Sequence, residues 1–294
     1  MVSGKARAVV TMLGPVAWLA LAAGLQMVGA LLFFRAPLDP ILVSTYTLIA
    51  FSVYLLNRFT DGEDSYNCPE QRMFFQQKTT LAAIPIFLIA FSILMLAFSS
   101  RLVVWHLVLI TCGVFYSVSI VPFARNKSLC WVRLKDILFV KNISVSLLWG
   151  ITPFAIAASQ KISTAPHKLD LITVMSAFCL TTLINTTSCD VRDVEGDRHA
   201  KVATLPTYFG VRFTALFLVL WGIVGSLFAA ISYWSGTIGT ATIILFFATL
   251  LWTGLVAAPI YLRELKLSKA LTEPLIDTQQ VFCGISLIVL SVCI

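Results

Sequence analysis

Carboxylates recur at helical spacing in one short segment, residues 190–206, which reads DVRDVEGDRHAKVATLP. Asp190, Asp193 and Asp197 stand at positions i, i+3 and i+7, so a helix would place all three side chains on one face. Like charges held this close repel each other by about 1 kcal/mol per pair in water, and by about 4 kcal/mol at an effective dielectric constant near 20. A divalent cation would turn that repulsion into coordination, and Mg²⁺ favours one or two carboxylates together with water and phosphate oxygens.

A second acidic segment, NRFTDGEDSYNCPEQR at residues 57–72, has a related pattern. Asp61 and Asp64 are three residues apart, Asn57 precedes Asp61 by one helical turn, and basic residues and a proline belong to the segment. The two segments hold eight of the fourteen acids in a chain of which only 12% is charged. Two matched acidic segments with basic neighbours favour a metal-bridged diphosphate site over ordinary solvated loops.

The rest of the chain is apolar enough to hold these segments at a membrane surface. Its mean hydropathy is +0.91, and 59% of its 294 residues are hydrophobic. A helix that crosses a bilayer needs about 20 apolar residues. We find nine such runs, at 8–34, 38–57, 80–99, 102–121, 136–158, 169–189, 211–235, 238–262 and 276–294. The runs are continuously apolar and do not alternate, which predicts an all-α membrane protein and not a β-barrel.

The basic residues predict how the chain is oriented. With the N-terminus on the inner side, sixteen Lys and Arg residues lie at inner ends of the predicted spans and four lie at outer ends. This positive-inside bias places the N-terminus and both acidic segments in the cytoplasm. The net charge of +7 is then explained by topology and requires no nucleic-acid partner. The seven cysteines contain no CxxC pair and predict core packing, with neither disulfides nor a zinc site.

The acidic segments follow the second and the sixth predicted spans, four helices apart. This offset indicates two pseudo-repeats, roughly residues 1–121 and 136–262, followed by a ninth helix. We therefore expect a single transmembrane domain that covers residues 1–294.

The two segments resemble the aspartate motifs of a known family. DVRDVEGDRHAKVATLPTYFG, residues 190–210, resembles the second aspartate motif of the UbiA superfamily of intramembrane prenyltransferases, including its threonine-leucine-proline and the later glycine. NRFTDGEDSYNCPEQR is similar to the first motif, but Ser65 stands four residues after Asp61, where that pattern has an aspartate. Asp64 takes this place if one residue is deleted between the two acids.

A third family feature is only half present. Tyr116 matches the tyrosine of the fourth helix, but Ile120 replaces the lysine that follows it by four residues. Lys135 and Lys141 are the candidates to take over the role of that lysine at the diphosphate.

The resemblance implies a UbiA-like bundle of nine transmembrane helices around a central cavity. It implies Mg²⁺-dependent transfer of an isoprenyl group, within the lipid bilayer, from a prenyl diphosphate to an acceptor such as an aromatic compound or a quinone precursor. The implied catalytic residues are Asp61, Asp64, Asp193 and Asp197, and Asp190 joins these four as a metal ligand. The implied diphosphate-binding residues are Asn57, Arg72, Tyr116, Lys135, Lys141, Arg198 and Lys201.

Three other functions remain open at this point. A terpene cyclase of the same fold would let the substrate's own double bond attack the allylic cation, without an external acceptor. A transporter would place its ionisable residues near the bilayer midplane, whereas the acids here cluster at one boundary. The third is a catalytically idle, lipid-binding relative, which a loss of activity in Asp61→Ala and Asp193→Ala would exclude.

Overall fold

Helices make up most of the structure, a computed structural model that describes residues 4–60, 83–125, 128–160, 167–200, 202–262 and 269–293. The helices are α1 (Gly4–Phe33), α2 (Pro40–Thr60), α3 (Ala83–Phe98), α4 (Val104–Ser117), α5 (Val140–Ala158), α6 (Lys168–Arg192), α7 (Val194–Ala200), α8 (Leu205–Tyr208), α9 (Val211–Trp234), α10 (Thr240–Leu262) and α11 (Lys269–Cys293). Between α4 and α5 lie the strands β1 (Val121–Arg125) and β2 (Ser128–Val132) and a 3₁₀ turn (Leu134–Asp136).

The apolar runs of the sequence fold as helices, which confirms the prediction of an all-α membrane protein. Five helices are long and apolar enough to cross a bilayer: Leu13–Phe33, Pro40–Thr60, Val140–Ala158, Lys168–Arg192 and Val211–Trp234. Four shorter apolar helices are found in the described part of the chain: Ala83–Phe98, Val104–Ser117, Thr240–Leu255 and Ile276–Val292. Large apolar side chains are exposed on the outside of the bundle, as lipid contact requires; examples are Phe87, Leu220, Ile244 and Leu251.

The bundle is a closed ring because its first and last long helices pack together. Around the ring α1 contacts α2, then α4, α5, α6 and α10 follow in contact with one another, and α11 returns to α1. Helices α1 and α11 run parallel, since Leu25 faces Gly284 and Gly29 faces Leu287. Small residues at such interfaces let membrane helices approach closely. The largest fully buried side chains include Met27, Leu31, Ile49, Phe154 and Phe178.

Buried amides tie three helices together on the side of the ring that α11 closes. The Gln26 side chain on α1 donates to Gln280 Oε1 at 3.1 Å, and Gln280 Nε2 donates to the Thr182 hydroxyl on α6 at 3.0 Å. Asn185 Nδ2 donates to the backbone oxygen of Ile276 at 2.8 Å. Hydrogen bonds of this kind hold transmembrane helices in register, because hydrocarbon offers no substitute partner.

The connection between α4 and α5, expected from the sequence to be a loop, contains an antiparallel hairpin. Val121 pairs with Val132 at its base, and a 3₁₀ turn follows the second strand. Arg133 forms an ion pair with Asp136 at 2.7 Å and donates to the backbone oxygen of Thr60 at 3.4 Å. Helix α5 begins later than the predicted residue 136, because Phe139 has a positive φ of 67° that cannot continue a helix. This connection therefore packs against the C-terminal end of α2.

Gly284→Ala is expected to destabilise the bundle, because a Cβ at this position would lie 2.8 Å from Leu25 Cβ and 3.1 Å from the backbone nitrogen of Gln26. Backbone atoms cannot rotate away, so we expect a loss of about 1–3 kcal/mol, measured as a lower unfolding temperature in detergent. Gly254→Ala on α10 is the matched control, since a Cβ there has nothing within 4 Å. Equal unfolding temperatures of the two variants would contradict the close packing of α1 against α11.

Candidate active site

A cavity of about 240 Å³ opens among α1, α2, α4, α5, α6 and α11, at the end of the bundle where α2, α4 and α6 end and α5 begins. Its mouth is lined by polar and charged side chains: Asn57, Arg58, Lys135, Lys141, Asp190, Arg192, Asp193, Asp197 and Asp277. Its interior is lined mainly by apolar and aromatic side chains, among them Leu19, Ala23, Tyr46, Ala50, Val53, Tyr54, Leu109, Val145, Leu148 and Trp149. The cavity therefore has one end suited to a charged head group and another suited to an apolar tail.

The second acidic segment reaches this mouth through a break in the helix. Helix α6 ends at Arg192, Asp193 is its C-cap, and α7 begins at Val194, so the predicted common face does not lie on one continuous helix. The backbone ladder nevertheless crosses the break, because Asp193 N–H donates to Cys189 at 3.0 Å and Asp197 N–H donates to Asp193 at 3.0 Å. Asp190, Asp193 and Asp197 consequently all line the cavity, as their spacing predicts.

Asp190 is occupied by two donors from α5. Its side chain is only 1% exposed; Lys141 Nζ lies 2.6 Å from Oδ1, and Asn142 Nδ2 lies 2.8 Å from Oδ2. Asn142 also donates to the Thr187 hydroxyl at 3.1 Å. The Lys141 side chain is 23% exposed and lines the mouth. A buried carboxylate thus fixes the position of a lysine at the cavity, and this lysine is one of the two candidates to replace the missing helix-four lysine.

Asp197 has the features of a carboxylate that can bind a cation. It is 6% exposed, and no donor in the described part of the chain contacts its Oδ2. Burial is the main reason that the pKa of Asp197 is raised to about 7; Lys141 and the Thr204 hydroxyl oppose this shift, and the carboxylates of Asp190 and Asp193 contribute to it. The orphaned oxygen and the neighbouring carboxylates fit a bound divalent cation.

The described residues supply only part of a metal site. Among them there is no cluster of three or more His, Cys, Asp or Glu side chains able to hold a metal ion. Asp193 and Asp197 remain as donors, and Asp193 also accepts from Arg192 at 2.6 Å. Two carboxylates suffice for Mg²⁺ that keeps water and phosphate oxygens as its other ligands. The first-motif acids Asp61 and Asp64, and the predicted diphosphate contacts Arg72 and Lys201, lie outside the described residues.

The remaining predicted contacts divide into two groups. Asn57, Tyr116 and Lys135 line the cavity together with Lys141, and Lys135 Nζ lies 3.4 Å from Asn57 Oδ1. Lys135 is held there by the 3₁₀ turn and is almost fully buried. Arg198, on α7, is exposed and is absent from the cavity lining, so its contact with a diphosphate stays a prediction.

Three charged residues at the mouth were not predicted as site residues. Arg58 lies in the last turn of α2 and Arg192 is the last residue of α6; both line the cavity, although the sequence explains both as positive-inside residues. Asp277 reaches the mouth from α11, within electrostatic range of Tyr54 and Cys189. The one available signal for Asp277 was an acid inside the ninth apolar run, where an ionisable residue indicates function.

Asp197→Asn is expected to flatten the pH dependence of stability measured without divalent cations. The carboxyl of Asp197 has a higher pKa in the folded chain than its ordinary 3.8, so the folded state binds more protons than the unfolded state between about pH 4 and pH 7. The contribution of Asp197 to the free energy of unfolding should therefore fall as the pH rises through this interval and level off above it. Thermal unfolding with EDTA, and again with Mg²⁺ to offset the loss, measures the effect. Parallel pH profiles for the wild type and the variant would contradict it.

The chain resembles known proteins in sequence and in fold. Residues 69–257, more than half of the chain, match the VviA prenyltransferase family. No curated protein sequence matches the chain. A UbiA homologue from Archaeoglobus fulgidus bound to GPP and Mg²⁺ superposes with a TM-score of 0.65 at 17% identity, over 96% of this chain and 99% of that chain. A UbiA homologue from the same organism bound to DMAPP and Mg²⁺ gives 0.65 at 16% identity, over 95% and 98%.

A digeranylgeranylglyceryl phosphate synthase structure gives a TM-score of 0.60 at 14% identity, over 99% of each chain. The UbiA fold predicted from the two aspartate motifs is thereby confirmed. The chain belongs to the VviA prenyltransferase family and is a membrane prenyltransferase with the UbiA fold.

Proposed function

We propose that this prenyltransferase moves an isoprenyl group from a prenyl diphosphate to an aromatic or quinone-precursor acceptor, in a reaction that depends on Mg²⁺. One observation carries the proposal: the carboxylates Asp193 and Asp197 stand beside Lys135 and Lys141 at the mouth of a cavity whose interior is apolar. A prenyl diphosphate has the same division between charged head and apolar tail. The GPP and DMAPP bound with Mg²⁺ in the Archaeoglobus UbiA homologues support the same substrate class.

The residues at the mouth bind the diphosphate in two ways, through a metal ion and through direct hydrogen bonds. Asp193 and Asp197, with Asp61 and Asp64 of the first motif, would hold Mg²⁺, which when bound neutralises the diphosphate and makes it a better leaving group. Lys141 and Lys135 donate to the phosphate oxygens, where charge-assisted hydrogen bonds are strongest. Tyr116 and Asn57 complete the contacts from α4 and α2. Arg72, Arg198 and Lys201 add positive charge on the side of the membrane that the basic residues predict to be cytoplasmic.

Asp190 is assigned a positioning role in this proposal, in place of the metal role inferred from its spacing. Both of its oxygens already accept hydrogen bonds, from Lys141 and Asn142. Because a buried carboxylate is stable only when it is paired, Asp190 keeps the Lys141 ammonium at the mouth. The lysine therefore takes up the function of the missing helix-four lysine.

The apolar and aromatic interior of the cavity stabilises the allylic cation. When the bond between C1 and the diphosphate oxygen breaks, the electron pair leaves with the diphosphate and the cation remains in the cavity. Tyr54 and Trp149 lie side by side there, with ring centroids 6.2 Å apart, and Trp149 Nε1 donates to the Tyr54 hydroxyl at 2.8 Å. Aromatic faces stabilise a cation that water cannot reach. The acceptor then forms a bond to C1 and releases a proton.

Asp193→Asn and Asp197→Asn are expected to lower kcat/KM for a prenyl diphosphate by about 10²–10³-fold, because each removes a carboxylate that would hold the Mg²⁺ by which the leaving group is neutralised. Steady-state kinetics over a range of Mg²⁺ concentrations measure the effect. Asp170→Asn is the control at the outer end of α6, where Oδ1 accepts from Gly239 N–H and the Thr242 hydroxyl, as an asparagine oxygen also can. If the mouth variants retain the activity of Asp170→Asn, the proposed function fails. Product analysis without an acceptor completes the test, since a cyclic product would identify a terpene cyclase.

Lys141→Gln and Asp190→Asn are expected to weaken the same contact to the diphosphate. Asp190 acts through Lys141, so the double variant should lose about as much kcat/KM as Lys141→Gln alone, and the Mg²⁺ concentration for half-maximal activity should stay unchanged in Asp190→Asn. Losses that add in the double variant, together with a raised Mg²⁺ requirement in Asp190→Asn, would instead make Asp190 a metal ligand.

A further inference from the structure

The deep end of the cavity is closed by a tyrosine that is fixed in place. Tyr46 on α2 is 3% exposed, and its hydroxyl lies 2.9 Å from the Thr152 hydroxyl on α5. Thr152 donates its own proton to the Leu148 backbone oxygen at 2.6 Å, so Tyr46 is the donor in the pair. The phenol ring is therefore held across the gap between α2 and α5.

Beyond Tyr46 the side chains of α5 pack against neighbouring helices and no longer line the cavity. The cavity lining contains no described residue of α2 nearer the outer side than Tyr46, and none of α5 beyond Trp149. The next turn of α5 contributes Phe154, whose ring contacts Phe33 and Phe178 at centroid distances of 6.1 and 5.6 Å. The cavity thus ends at Tyr46, whose ring forms the floor of the cavity.

The distance from mouth to floor sets the length of substrate that fits. Asn57 at the mouth and Tyr46 at the floor are eleven residues apart on α2, which corresponds to about 16 Å along the helix. An isoprene unit adds four carbon–carbon bonds, about 5 Å when extended. With the head group at the level of Asn57, about two or three units fill the space.

We propose that Tyr46 limits the substrate to a prenyl diphosphate of two or three isoprene units. This inference rests on the proposed function and adds the chain length to it. Ala50 lies one turn nearer the mouth on the same face of α2 and lines the same cavity. Its small side chain leaves room for the last unit of the tail, so a larger residue there would raise the floor by one turn, about 5 Å.

Turnover of diphosphates with 5, 10, 15 and 20 carbons by four proteins tests the floor. The wild type should prefer 10 or 15 carbons over 20. Tyr46→Ala removes the ring and should raise the ratio of kcat/KM for 20 carbons to that for 10 carbons by about tenfold or more. Ala50→Leu should lower the ratio of 15 to 10 carbons by a similar factor. Tyr46→Phe is the matched control, which keeps the ring and should keep the wild-type ratios.

Binding of unreactive thiolodiphosphates of the same lengths separates this inference from the proposed function. If binding shows the same length preference and the same shifts in the variants while no protein turns over a diphosphate, Tyr46 does limit the chain length and the proposed function fails. If the proteins are active but Tyr46→Ala keeps the wild-type ratios, or the wild type uses 20 carbons as well as 10, the floor is overturned. Should Tyr46→Ala fail to fold, unchanged ratios in Ala50→Leu overturn it.

Discussion

A charge inside a bundle of apolar helices is tolerated only where an opposite charge meets it, and the Lys141–Asp190 pair is the clearest instance here. The pair lies at the boundary between the apolar interior and the cytoplasmic end predicted from the basic residues. Asn142 donates a hydrogen bond to the second oxygen of Asp190, so that both carboxylate oxygens have a donor. The Lys141 side chain lines the cavity. Asp197, one helical break further on, has an oxygen that nothing in the described chain satisfies. Asp190 is therefore saturated by contacts within the protein, whereas Asp197 has an oxygen available to bind a ligand.

This division of roles organises the whole cavity. The Lys141–Asp190 pair lies at the mouth. Asp193 and Asp197 line the space where we propose that a metal and a diphosphate bind, and the apolar walls continue toward Tyr46. The ring of helices gives every part of the site a rigid support, because α1 and α11 close it and the buried amides of Gln26 and Gln280 hold it in register. Chemistry at the mouth and selection of the tail can therefore be changed separately, by substitutions on α6 and on α2.

Sequence reasoning reached the helices and the acidic segments because both depend on local patterns. Continuous apolar runs predict spans whatever their neighbours are, and the spacing of Asp190, Asp193 and Asp197 places them together through the chain's own geometry. What it missed depends on contacts between distant residues. Asp277 joins the mouth from another helix, and the ion pair of Asp190 joins residues 49 positions apart. The positive φ of Phe139, which delays the start of α5, has no signature in an apolar run. The inner orientation, the pseudo-repeats and the first-motif ligands stay predictions.

We propose that both acidic segments bind one diphosphate head group at the mouth of one cavity. An experimental structure with a prenyl thiolodiphosphate and Mn²⁺ in place of Mg²⁺ tests it directly, because anomalous scattering locates the metal. We expect Mn²⁺ between Asp193 and Asp61, with Lys141 Nζ within hydrogen-bonding distance of the diphosphate and the tail directed toward Tyr46. Metal and head group bound away from Asp193, or Asp61 on the far side of the bundle, would contradict it.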